Sequence, residues 1–543
     1  MTATLTRSTV DANDFAELVI QPSGPRPANP FTDLRITGSF AREGDPPTPV
    51  GGFVDSPDGS VLKARFLARQ PGRYRYNVTC QSADGDSERF EGSFDARPSQ
   101  RKGLLRLDPD HPNHFIWEGT GEHYFWNGTT AYFLAGFRDD AVIAGAIDRL
   151  ASLKVNRIRT LLYGRNGDRP WGEPVVNHDA YSLRLNPWQA KFPDDEVPEF
   201  DLTRFNVAYW QKFERLLMHA RERDVIISVI FFIGAQDLNT PFVAEGEDEL
   251  RYYRYAVDRF AAFSNVTWDL GNEHDFHRNG FWTDHMAMMI RDRLDPYGHL
   301  LGVHNKIYHK HWNDMQLIQD WDAGLNARFN EYRRKQHASG RVIPQINEEY
   351  GYERLWERFP GHRSAETRRR CAWELAMAGC YQTAGEHAKT GGGVNEDTGG
   401  GWITGRGDET MTMFHGYRHM VEFFTSFDWW RLEPCNECVH SYQPARGEIA
   451  YYTNAGEPMP ITEAWALAED EGRYVVYLPA GGTACVKLGR GVYDIQRFNP
   501  RDGSWQEMGA CDGGFWFSPA LPDAEDWVFM FTRRGADQTG KME

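Results

Sequence analysis

Cysteine is scarce in this chain, seven in 543 residues, at positions 80, 371, 380, 435, 438, 485 and 511. An odd and scattered set excludes a small disulfide-stapled scaffold. Cys435 and Cys438 form one CxxC, but no second pair or histidine cluster accompanies it, which argues against a zinc site. Free thiols in a reducing compartment are the expectation. Positive charge is also short: 60 Lys and Arg stand against 77 Asp and Glu, a net charge of −17. Nucleic acid and anionic membranes demand basic patches, so neither is an expected partner. No stretch approaches the roughly 18 apolar residues of a membrane span. The opening MTATLTRSTVDANDFAEL has no apolar segment and brings in Asp11, Asp14 and Glu17, unlike a secretory signal. A cytoplasmic address is expected.

Aromatic residues are plentiful, 14% of the chain with 18 Trp. They fill cores, and their flat faces also suit sugar rings. The first hundred residues carry strand texture. Tyr74, Tyr76 and Val78 alternate with Arg73, Arg75 and Asn77, the period of a strand with one dry face. Turn chemistry recurs at Pro57-Asp58-Gly59, Pro71-Gly72 and Asp84-Gly85, so a β-sandwich is expected. From about residue 112 short apolar runs alternate with helix-like segments. Strands are expected at Phe125–Thr129, Val155–Leu162, Val225–Phe232, Val266–Leu270, Leu300–His304, Met315–Ile318, Val342–Asn347 and Tyr381–Ala384. Helical patterns such as Asp140–Leu153, Phe205–Arg223, Asp248–Phe263, Trp282–Leu294 and Glu366–Ala378 fall between them. Eight such alternations predict an α/β chain with a (β/α)8 TIM barrel. After a helix-like Thr410–Phe424 the strand texture returns and closes at DWVFMF. The expected division is a disordered 1–13, an N-terminal β-sandwich 14–100, a barrel 110–436, a C-terminal β-sandwich 437–533 and a disordered tail 534–543.

In a barrel, residues just past the C-terminal strand ends face the active site. The fourth strand runs into Gly271-Asn272-Glu273, and the seventh ends in Glu348-Glu349. Two carboxyls placed across one barrel mouth suit glycoside hydrolysis, where one donates a proton and the other attacks the anomeric carbon. The glycine-rich TGGGVNEDTGGGW, residues 390–402, lacks the Gly-Lys-Ser/Thr of a phosphate loop and is read as a loop over the mouth.

Gly271-Asn272-Glu273 resembles the Asn-Glu acid/base motif of the clan-A glycoside hydrolases. EEYGYE, residues 348–353, resembles the nucleophile region of the apiosidase-like barrel family, which often carries DE(F/Y)GYE or GEPxYE there. NPFTD, VGGFVD, KARF and PGRYRY are similar to the sandwich that precedes these barrels, and FDWWRLEP, FNPRDG and DWVFMF to their closing segments. The resemblance implies Glu273 as acid/base and Glu349 as nucleophile, with Glu348 in a position that relatives fill with Asp or Gly. It further implies Arg159 as the strand-two arginine holding the nucleophile carboxylate and His304 as the strand-five histidine, against a satisfied buried histidine. Asn272 would bond the sugar 2-hydroxyl or serve as a structural amide. Tyr352 would orient Glu349 or simply pack; Trp126 and Trp402 would be sugar platforms or core. No metal and no cofactor is expected, since two carboxyls suffice for this chemistry.

The expected activity is a retaining, exo-acting glycoside hydrolase on oligosaccharides or small plant-type glycosides. A transglycosylase of the same mechanism and a non-catalytic carbohydrate-binding barrel are the alternatives. The sugar, the linkage and any homo-oligomer are left open by the sequence.

Overall fold

The computed structural model describes residues 2–23, 26–132, 134–162, 186–192, 199–232, 243–276, 278–305, 309–353, 364–386, 412–445, 449–453, 457–469 and 472–535. At its centre eight parallel strands close into a barrel. In chain order they are Asn127–Thr130, Arg157–Leu161, Ile226–Ile230, Val266–Asp269, Leu301–Gly302 continuing at His304–Asn305, Gln316–Gln319, Gln345–Glu349 and Tyr381–Glu386. Each pairs with the next, and the eighth returns to the first through Gln382 against Asn127. Strand five is broken at Val303: its first half pairs with strand four and its second with strand six. The strands are buried on both faces, since helices cover the outer one as parallel sheets require. Yet only Ile226–Ile230 is a near-continuous apolar run; the others bring polar side chains such as Asn127, Arg157, Gln345 and Glu348 inside. Helices Asp140–Ser152, Val207–Arg221, Glu247–Phe260, Gly280–Met289, Leu325–Ala338 and Ala365–Met377 supply that cover. Their starts carry local signals: Asp139 caps the first through Ala141 N at 2.8 Å, and Asn279 caps the fourth through Phe281 N and Trp282 N.

Both flanks are all-β. Eight strands between Thr2 and Arg97 join in one hydrogen-bonded sheet, with Phe66 stacked on Phe40 at 4.8 Å and edge-on to Phe94. The described residues 2–13 of the segment expected to be disordered are ordered instead. Thr2–Leu5 pairs with Leu18–Gln21 and Thr9–Asp11 with Asp95–Arg97. The reason is burial: Val10 and Ala12 lie in the core and carry the segment with them. At the other end, a seven-stranded sheet and a two-stranded hairpin follow helix Met413–Phe424. Residues 536–543 of the expected tail lie outside the described residues.

The flanks are fastened to the barrel by buried charge and aromatic stacking. Arg65 of the N-terminal sheet reaches Glu17 at 2.7 Å and Glu214 at 2.5 Å, while Arg259 of the barrel reaches Asp55 at 2.5 Å and Glu214 at 2.6 Å. On the C-terminal side Trp373 stacks on Tyr477 at 5.2 Å, and Arg369 grips Asp526 with two bonds of 3.0 and 2.7 Å. Where the chain crosses into that sheet, the cysteine reading needs correction. Cys435 and Cys438 are joined as a disulfide, and the other five cysteines are free. The short 3-10 turn Asn436–Cys438 brings the two sulfurs together. Among the described residues no helix is long and apolar enough to cross a membrane.

Candidate active site

The candidate residues gather at the C-terminal ends of the barrel strands. Strand four stops at Asp269 because Gly271 must lie against the Phe232 ring; a Cβ there would sit 2.7 Å from that ring. Asn272 N then bonds Phe232 O at 2.9 Å, which carries the chain across the mouth of strand three. Glu273 follows with φ of +48°, a left-handed conformation that costs a non-glycine residue energy and turns its side chain out of the strand's alternation. Its Oε1 accepts from Gln319 Nε2 of strand six at 3.2 Å.

Strand seven delivers two carboxylates rather than one. Its register against strand six slips between Ile318 and Gln319: Ile318 faces Asn347, and Gln319 faces Glu349, so Glu348 is the extra residue of a bulge. A bulge re-aims the side chains beside it. Here Glu348 and Glu349 both reach Arg159, at 3.0 Å and 3.8 Å. Their surroundings differ. Glu348 is fully buried and also paired with Arg157 at 2.6 Å. Glu349 accepts from the Tyr132 hydroxyl at 3.2 Å and lies 4.0 Å from His304 Nε2.

Arg159, from strand two, is the hub. Its Nη2 donates to Asn272 Oδ1 at 2.5 Å, and its guanidinium lies near Tyr132 and 4.0 Å from Asp269. The arginine therefore binds Glu348 and Asn272 more closely than Glu349, the carboxylate expected as its partner. The Tyr132 hydroxyl lies 3.2 Å from Asn272 Oδ1 as well as from Glu349, so its one hydrogen is shared between the two acceptors.

The electrostatics separate the carboxyls. Burial and the facing charge of Glu349 push the Glu273 carboxyl up to about 8, against smaller opposing effects of Gln319 and Arg159. Burial raises Asp269 to about 6, with Arg159 opposing it. His304 is held well below the ordinary histidine value by burial and by Arg159, so its ring is neutral. Both of its ring nitrogens are buried without a hydrogen-bond partner among the described residues.

Two expected platform or support residues fall elsewhere. Trp126 is no sugar platform: it precedes strand one and so lies at the opposite, N-terminal end of the barrel. It is fully buried there, stacked on Phe115 at 5.1 Å and covered by Arg157 at 4.6 Å. Trp402 and the glycine-rich 390–402 loop lie outside the described residues, as does the side chain of Tyr352. Tyr132, Gln319, Asp269 and Arg157 were not singled out from the sequence. Tyr132 and Gln319 sit at strand ends one and six, and applying the strand-end argument to every strand would have found both.

A family model described as the apiosidase-like catalytic domain matches residues 174–388, a span that includes the ends of strands four and seven. A candidate glycoside hydrolase from Bacteroides vulgatus ATCC 8482 superposes with a TM-score of 0.75 at 18% identity, covering 97% of this chain and 100% of its own. A glycoside hydrolase family 5 structure from the same organism gives 0.58 at 15% identity over 80% of this chain and 95% of that one. These likenesses speak for the fold. No sequence among curated proteins matches the chain. The barrel, the paired strand-end glutamates and the match over residues 174–388 together make this chain similar to glycoside hydrolases with an apiosidase-like catalytic domain.

Proposed function

We propose that the protein is a retaining, exo-acting glycoside hydrolase that removes terminal sugars from oligosaccharides or small glycosides by double displacement. The observation that carries this reading is the Glu273 carboxyl at the mouth, pushed up to about 8 by burial and by the facing charge of Glu349, to which Tyr132 donates a hydrogen bond. A proton donor needs a carboxyl that keeps its proton near neutral pH, beside a second that is ionised.

In the first step Glu349 attacks the anomeric carbon while Glu273 gives its proton to the leaving oxygen. In the second, Glu273 takes a proton from water, and that water displaces Glu349 from the sugar. Asn272, its Oδ1 fixed by Arg159 and Tyr132, keeps its Nδ2 to donate to a hydroxyl of the bound sugar. His304, neutral and with ring nitrogens unpartnered among the described residues, suits another hydroxyl. Glu348, locked between two arginines, is assigned to structure. The catalytic unit is read as 110–436, with the two β flanks as buttresses.

A panel of aryl glycosides, with the Glu349→Gln protein as control, tests the reading. Turnover of one or more members that disappears in the control is expected. A panel on which both proteins are equally inert, followed by the same result with natural oligosaccharides, would favour a carbohydrate-binding barrel instead.

A further inference from the structure

Away from the barrel mouth, a cleft of about 740 Å³ runs between the N-terminal sheet and the helix Glu247–Phe260. That is the size of many small-molecule sites, which also favour junctions between domains. Its wall is built with care around one carboxyl. Asp258 lies against the backbone of Gly51, where a Cβ would come within 1.9 Å of Asp258 Oδ1. Only glycine lets the acid occupy that place. Asp258 makes no hydrogen bond or ion pair among the described residues; its crowded position in the wall raises its carboxyl above the usual range, while Arg254 and Arg35 oppose the shift. Asp258 is part-exposed in the lining, so its carboxyl is open to a partner that enters the cleft.

The rest of the lining states which partner. Arg35, Arg254 and Arg293 line the cleft and form no ion pair among the described residues, in a chain of net charge −17. Guanidinium forks match carboxylates. Leu34, Leu250 and Leu294 give an apolar surface between them. A bare inorganic anion would leave that surface and Asp258 unused, and a neutral sugar would leave the three exposed arginines, which outnumber the acids Glu247 and Asp258 of the lining, to water alone. We propose that this cleft is an accessory binding site for an acidic saccharide, its carboxylates on Arg35, Arg254 and Arg293, its ring over the leucines, and a hydroxyl on Asp258. This goes beyond the roles assigned to Glu273 and Glu349 and does not depend on them.

Calorimetric titration of the full chain with trigalacturonate and trimannuronate, with mannotriose and inorganic sulfate as controls, tests it. At least one acidic trimer should bind, mannotriose should not, and sulfate should compete only weakly. Arg254→Ala and Arg293→Ala should each weaken binding by about tenfold, the scale of a lost charged hydrogen bond. Gly51→Ala, which displaces Asp258, should weaken it too. Melting temperature and turnover of a neutral aryl glycoside should stay unchanged in the arginine variants, which separates this site from the barrel mouth. The proposal is overturned if neither trimer binds, if the substitutions leave binding untouched, or if sulfate binds as well as the trimers.

Discussion

Gln319 faces Glu349 across strands six and seven, and its amide donates to Glu273 Oε1 at 3.2 Å. One neutral side chain thus joins the two strand ends that carry the proposed acid and nucleophile. Its bond favours the charged form of Glu273 and so holds that pKa below the value burial and Glu349 would set. Gln319→Ala is expected to move the basic limb of the activity profile to higher pH and to lower kcat. A limb that stayed in place, measured by kcat/KM against pH, would separate Gln319 from the acid.

The two proposed catalytic carboxyls should lie about 5–5.5 Å apart in a sugar complex, the spacing of direct attack. The first-formed product should then keep the anomeric configuration of the substrate, which proton NMR reads within the first minutes of turnover. An inverted product would rule out double displacement.

The Glu273 carboxyl must be protonated to act as acid, so activity should fall as pH rises through about 8. The same shift has a stability consequence of definite sign. Between the ordinary glutamate range and about 8 the folded chain holds a proton that the unfolded chain has released, so stability falls as pH rises across that window. Glu273→Gln, which removes the titration, should melt higher than the parent at pH 8 by about a few degrees, and the gap should shrink at pH 5. An equal gap at both values would contradict the raised pKa.

Adjacent glutamates should fail in different ways. Glu349→Gln should abolish turnover and leave the melting temperature close to that of the parent. Glu348→Ala removes the nearest buried counter-charge of Arg157 and Arg159 and should cost about 3–5 kcal/mol in urea unfolding, the scale of a broken buried pair. Stability held in the second variant and lost in the first would exchange their roles.

The buttress reading predicts that residues 110–436, expressed alone, are insoluble or much less stable than the whole chain. The buried Arg65, Arg259, Glu214 and Asp55 network would be cut, leaving Arg259 and Glu214 without their N-terminal partners. Thermal unfolding of the excised barrel checks this: a sharp transition close to that of the full chain, with full turnover, would sink it.

The sequence by itself determined where the eight barrel strands and most helices lie, and it placed Glu273 and Glu349 at the ends of strands four and seven. Those features are local: apolar runs, caps and turn residues act within a few positions of one another. The β character of both flanks was legible for the same reason. Tertiary structure decided what depends on residues far apart in the chain. The register slip that lets Glu348 and Glu349 share Arg159 arises from pairing with strand six, so alternation within strand seven could not reveal it. Tyr132 meets Asn272 and Glu349 only because the barrel closes. Trp126 and the first residues of the chain look exposed or loose in sequence, yet Phe115, Arg157 and the N-terminal sheet bury or pair them. The raised pKa of Glu273 has the same origin, because burial and a facing charge are properties of the assembled mouth and of no single segment.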